Sequence, residues 1–139
     1  MKLAALTLLL VTSPAVASSS IEGSWSNPQG SVTVRIAPCG GSLCGRVTSA
    51  SAKAREDASA GGTPNLIGAE LMSGLEPTGP GSWHGTIFVP DVNRRAEADL
   101  HLLGPRTLEI EGCALGGLLC KSQTWNRVAA PVRPKRRRR

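Results

Sequence analysis

Cysteine supplies the most reactive side chains in this chain, and the four cysteines come in two pairs: Cys39 with Cys44 in "APCGGSLCGRV", and Cys113 with Cys120 in "GCALGGLLCKS". Such pairs can hold a metal, carry redox chemistry or staple the backbone. Zinc needs four thiolates to converge, and spacings of four and six intervening residues match the tighter cysteine pairs of zinc sites poorly. A redox C-x-x-C does not occur in the sequence. In a small domain of an oxidising compartment, four cysteines form two disulfides, with three connectivities formally open. The expectation is local pairing, Cys39 with Cys44 and Cys113 with Cys120, and neither metal nor cofactor. Other candidates for chemistry are sparse: His84, His101, Glu70, Glu109 and Glu111. Nothing in their spacing makes a nucleophile elbow, a metal-ligand pattern or an acid–base pair, and the glycines fall in turns rather than in a phosphate loop. Catalytic residues are therefore not expected.

The compartment is written at the N-terminus. "MKLAALTLLLVTSPAVASSS" offers one lysine, an apolar run from Leu3 to Val11, Pro14, and the small-x-small pattern Ala15-Val16-Ala17. This pattern predicts a secretory signal peptide cut after Ala17, and a secreted or periplasmic protein. The run is about half of the roughly 20 residues that a membrane-spanning helix needs. Three regions are expected: residues 1–17 as leader, 18–130 as one domain, and 131–139 as a basic, disordered tail. The formal charge of +6 misleads, because of 16 Lys and Arg, Lys2 falls in the leader and Arg133, Lys135, Arg136, Arg137, Arg138 and Arg139 in the tail. Nine remain against ten Asp and Glu, so the domain has no basic face for nucleic acid. The tail itself could adhere to an anionic membrane surface.

The elements that position these groups read as strands. Val32, Val34, Ile36 and Pro38 alternate with Thr33, Arg35 and Ala37, and Leu43, Gly45 and Val47 with Cys44, Arg46 and Thr48. A two-residue turn at Gly41-Ser42 would place Cys39 opposite Cys44, Ile36 opposite Val47 and Arg35 opposite Thr48. "RAEADLHLL" turns Ala96, Ala98, Leu100 and Leu102 inward, and "RTLEIEG" does the same with Leu108 and Ile110. A loop of Gly104-Pro105-Arg106 joins them in register, with His101 facing Glu109 and Asp99 facing Glu111, a like-charge contact. With candidates at Ile21 to Ser26, Ile67 to Ser73, Ser82 to Val89 and Leu119 to Val128, eight strands are expected. Residues 50–65 read as a long loop with at most one helical turn at Ala52 to Asp57. Eight strands with one apolar face require closure or a second sheet, and closure into a small antiparallel all-β barrel with two hairpin disulfides is expected.

Several phrases together resemble a secreted bacterial family known as domain of unknown function 2147: "GSWSN", "VRIAPCGGSLCGRV", "LMSGLEPTGPGSWHGTIFVP" and "GCALGGLLCKSQTWNRV". The resemblance runs over residues 21–128 and implies a lipocalin-like or calycin-like β-barrel, without implying an activity. The chain departs from the pattern at Thr48-Ser49 and Arg95-Ala96, where the resemblance would place aromatics. A filled or nearly filled core is expected for that reason.

Gly23-x-Trp25 and Arg127 are similar to the lipocalin closure, in which an arginine lies over a tryptophan at the closed end of the barrel. Period two also sets Gln123, Trp125 and Arg127 on one face of the last strand. If that face is interior, an amide, an indole and a guanidinium could orient an anionic amphiphile while Val34, Ile36, Leu71, Leu100 and Ile110 contact its tail. Two functions stay open: a barrel that binds a small apolar or amphiphilic ligand in the cell envelope, and a non-catalytic envelope interaction or structural protein that acts through its outer face or basic tail.

Overall fold

Alternating apolar side chains give each strand one face that must leave water, and the chain solves this by wrapping eight strands around a shared interior. In the computed structural model, which describes Leu10 and residues 20–114 and 119–129, the strands are β1 (Gly23–Ser26), β2 (Val32–Cys39), β3 (Ser42–Ala50), β4 (Glu70–Gly79), β5 (Ser82–Val89), β6 (Arg94–Gly104), β7 (Thr107–Ala114) and β8 (Leu119–Val128). Each pairs antiparallel with the next, and β8 returns to β1 through Trp25 opposite Arg127, closing the barrel. The all-β, lipocalin-like expectation is met. Residues 131–139, expected as a tail, and, apart from Leu10, residues 1–17, expected as a leader, lie outside the described residues.

The hairpin of β6 and β7 has the register read from its sequence: Leu100 faces Ile110, Leu102 faces Leu108, His101 faces Glu109 and Asp99 faces Glu111. The hairpin of β2 and β3 differs. Its turn is Gly40-Gly41, with Gly40 at φ +72°, so Cys39 faces Ser42, Ala37 faces Cys44 and Ile36 faces Gly45. Gly40 supplies the positive φ that a primed two-residue turn needs. The slip is two residues, which keeps Val34, Ile36 and Val47 on their expected face up to a β-bulge between Thr33 and Val34. Val34, Ile36 and Val47 are buried inside, and the Cys39–Cys44 disulfide crosses diagonally on the outside with its Cα atoms 5.8 Å apart. Cys113 and Cys120 face one another directly and form the second disulfide, their Cα atoms 4.1 Å apart.

The segment expected as a loop contains a full helix, α1 (Ala52–Ala60). Ser51 caps it by accepting a hydrogen bond from the Ala54 amide at 3.1 Å. No apolar period announces this helix, because it buries only Ala58 and otherwise carries small and charged residues. Its C-terminal end docks on the β5–β6 turn, where a Cβ on Gly61 would collide with the Asp91 carbonyl. β4 begins at Glu70, after Gly68 and Ala69 exchange backbone hydrogen bonds with Val47.

Burial is uneven along the barrel axis. Ile21, Trp25, Ile36, Leu75, Leu100 and Leu108 are essentially inaccessible and lie toward the end that carries the β2–β3, β4–β5 and β6–β7 turns. Toward the other end, the inward positions of β6 and β7 hold Ala96, Ala98 and Gly112. These small residues leave space in that half, where Trp125 and Phe88 line a cavity without filling it. The filled core that the lost aromatics suggested is thus only half realised.

Candidate functional site

Arg127 and Trp25 are cross-strand neighbours at the seam of the barrel. Trp25 is fully buried, and its indole Nε1 donates to the Ile21 carbonyl at 2.8 Å. The Arg127 guanidinium lies 4.4 Å from the centre of the ring and donates to three backbone carbonyls: Nε to Pro105 at 2.9 Å, Nη1 to Glu22 at 2.7 Å and Nη2 to Ser20 at 2.9 Å. A cation over an indole adds attraction to these charge-assisted bonds. Gly23 makes room for them: it sits at φ +130°, and a Cβ there would come within 2.7 Å of Arg127 Nη1. All three nitrogens of Arg127 are engaged at the plugged end, away from Gln123.

The opposite end is open. A cavity of about 1350 Å³ enters between α1, the β1–β2 and β5–β6 connections and the facing ends of β7 and β8. It exceeds the roughly 300–1,000 Å³ of most small-molecule pockets. Leu66, Leu71, Met72, Ile87, Ile110 and Trp125 contribute its apolar surface, while Asn27, Ser31, Lys53, Arg94, Lys121 and Gln123 are among its polar groups. Trp125 is buried and donates from Nε1 to the Gln123 amide oxygen at 3.2 Å. Of the predicted site residues, the structure therefore brings Gln123 and Trp125 together in the cavity and places Arg127 with Trp25 in the plug. Leu71 and Ile110 line the cavity; Val34, Ile36 and Leu100 are packed among other core side chains. Lys121 and the wall formed by α1 were not singled out from the sequence. The alternation that selected Gln123 extends to Lys121 two residues earlier, whereas α1 carries no periodic signal.

The other residues considered for chemistry, His84, His101, Glu70, Glu109 and Glu111, do not line the cavity. His84 Nδ1 and Asp99 Oδ1 are 2.8 Å apart, a bond that raises the imidazole above its ordinary value of 6.5 against a small opposing desolvation, with the charges of Asp99 and Glu97 adding to the rise. This partner accounts for the tolerated contact of Asp99 with Glu111, which itself accepts from Ser122 Oγ at 3.2 Å. His101 contacts Ser82 Oγ at 3.1 Å rather than Glu109. Glu70 pairs with Arg46 at 3.1 Å. Glu111 lies near Cys113 and Cys120, but the two sulfurs are bonded to each other and present no thiolate to a metal. A second hollow of about 240 Å³ lies outside the barrel over the Cys39–Cys44 bridge.

An eight-stranded barrel with an arginine-capped tryptophan at one end and an open cavity at the other defines a lipocalin-like barrel. The chain belongs to the family described as "Uncharacterized protein conserved in bacteria (DUF2147)", whose model matches residues 23–127. Among solved structures it is similar to protein HP1028 from the human pathogen Helicobacter pylori, described as belonging to the lipocalin family. That similarity has a TM-score of 0.63 and 18% identity and covers 79% of this chain and 84% of that one. No curated protein sequence matches the chain. The two disulfides are those of an oxidising, extracytoplasmic setting.

Proposed function

We propose that this protein is an exported, non-catalytic binding barrel that admits a small apolar or amphiphilic ligand through its open end. The observation that carries the reading is the order of side chains on the inward face of β8. Lys121, Gln123 and Trp125 lead from the lip of the cavity into it, so polarity falls with depth. A guest with a polar head and an apolar tail matches that order, with the tail against Leu71, Ile110 and Trp125 and the head near Gln123 and Lys121. The Gln123 amide oxygen is held by the Trp125 indole, which keeps the amide nitrogen as a donor for the guest. Export follows from the leader-like N-terminus together with the disulfides, and periplasmic or secreted residence is part of the same proposal. A non-catalytic role is supported by the placement of both histidines outside the cavity.

Native mass spectrometry of protein purified from its own compartment should show an adduct of lipid mass that is lost on organic extraction. The neutral fluorophore N-phenylnaphthylamine should bind the extracted protein and be displaced when the adduct is returned. A folded protein that carries no adduct and binds no apolar probe would refute the reading.

A further inference from the structure

Resting on that binding reading, we infer that the mouth selects guests with an anionic head group, through Arg94 on β6 and Lys121 on β8. Arg94 continues the inward series of Ala96, Ala98 and Leu100, and Lys121 continues that of Gln123 and Trp125, so both cations point to the lumen side. Both line the cavity, and neither belongs to an ion pair among the described residues. Between their strands runs β7, where Gly112 lies in register with Ala98 on one side and Lys121 on the other. A Cβ at Gly112 would meet Ile87 Cδ1 at 2.6 Å, so Ile87 covers the wall at this level and the head group stays at the rim. The two cations thus flank β7 on the rim, Lys121 level with Ala98 and Arg94 four residues nearer the β5–β6 turn.

The acids of the mouth do not cancel them. Asp57 is held by Lys53 on the next turn of α1 at 3.1 Å. Glu97 is out of phase with Arg94 and Ala96, and its charge acts on His84 outside the barrel. Arg95, whose guanidinium lies 5.0 Å from the centre of the Phe88 ring, shares the phase of Glu97 and offsets it, so Asp91 in the β5–β6 turn is the remaining acid against Arg94 and Lys121. The lip thus keeps an excess of positive charge although residues 18–132 are close to neutral. Lys121 stands four residues above Trp125, about 13 Å along the strand. That depth suits an extended acyl or alkyl chain whose carboxylate, sulfate or phosphate stays at the lip.

Displacement of N-phenylnaphthylamine by three ligands with the same chain, dodecanoate, dodecanol and dodecyltrimethylammonium, tests the inference. The wild-type protein should bind dodecanoate about tenfold more tightly than dodecanol, and the cationic ligand most weakly, as expected for charge-assisted hydrogen bonds. The variant with Arg94→Gln and Lys121→Gln should lose that preference while its melting temperature stays that of the wild type, since both residues are exposed. Fluorophore binding with equal displacement by the three ligands would overturn anion selection and leave the binding barrel standing. A preference that survives in the double variant would overturn the assignment to Arg94 and Lys121. If neither the fluorophore nor any dodecyl ligand binds, the binding barrel and the inference both fall.

Discussion

Arg127 combines a stacking contact with three hydrogen bonds to carbonyls from two distant parts of the chain, so its removal acts on the closure of the barrel rather than on the mouth. Arg127→Met should lower stability by about 2–3 kcal/mol, since the stack alone is worth about 0.5–2 and charged hydrogen bonds add to it. Thermal melts in a double-mutant cycle with Trp25→Leu should show strong coupling, because the second change removes the ring that the guanidinium covers. Additive losses would show that the two side chains act separately. His84 makes a different demand, of pH. Its imidazole, raised by Asp99, should titrate above 6.5 by NMR, and Asp99→Asn should bring the midpoint down. The sign follows from linkage: the stability that the pair contributes is fully present below the unfolded value near 6.5 and is lost as pH rises through the folded one. Both side chains are about half exposed, 45% and 50%, so the effect on a melting curve should be small.

Among the elements, α1 is the cheapest to perturb and the most informative. Ser51→Ala removes the hydroxyl that accepts from Ala54 and should cost about 1 kcal/mol. Amide exchange should accelerate in residues 52–60 well before the strands respond, whereas a uniform response would mean that helix and barrel open as one unit. Strands were legible because burial of one face writes a period of two into the sequence, and the β6–β7 hairpin could be aligned residue by residue on that basis. The β2–β3 hairpin shows the limit of the same signal. Two turn positions, Gly40-Gly41 and Gly41-Ser42, satisfy the alternation equally and each begins with a glycine, and the chain takes the first, with Gly40 at φ +72°. The helix was hidden because its few buried contacts, chiefly Ala58, leave no stripe. The site was half legible: alternation placed Gln123, Trp125 and Arg127 on one face, but it says nothing about height along the axis. Height decides whether a residue belongs to the plug or to the mouth.

Over the whole molecule, the contrast between a packed end and an empty one makes the cavity separable from stability. Ala96→Phe should narrow the open half and abolish fluorophore binding while leaving the melting temperature close to that of the wild type, because the packed residues lie at the other end. Retained affinity would place the bound probe elsewhere, for example on the outer surface. Closure also has a consequence in time. Synthesis proceeds from the N-terminus, so β1 is finished long before β8, the strand that covers its second edge. Arg127 reaches back 105 residues to Glu22, which at translation rates of about 5–20 residues per second is a wait on the order of 5–20 s. During that interval the nascent chain carries two unpaired strand edges, and a product that stops before β8 would carry them permanently. A truncated chain would thus differ from the complete one by these two open edges alone.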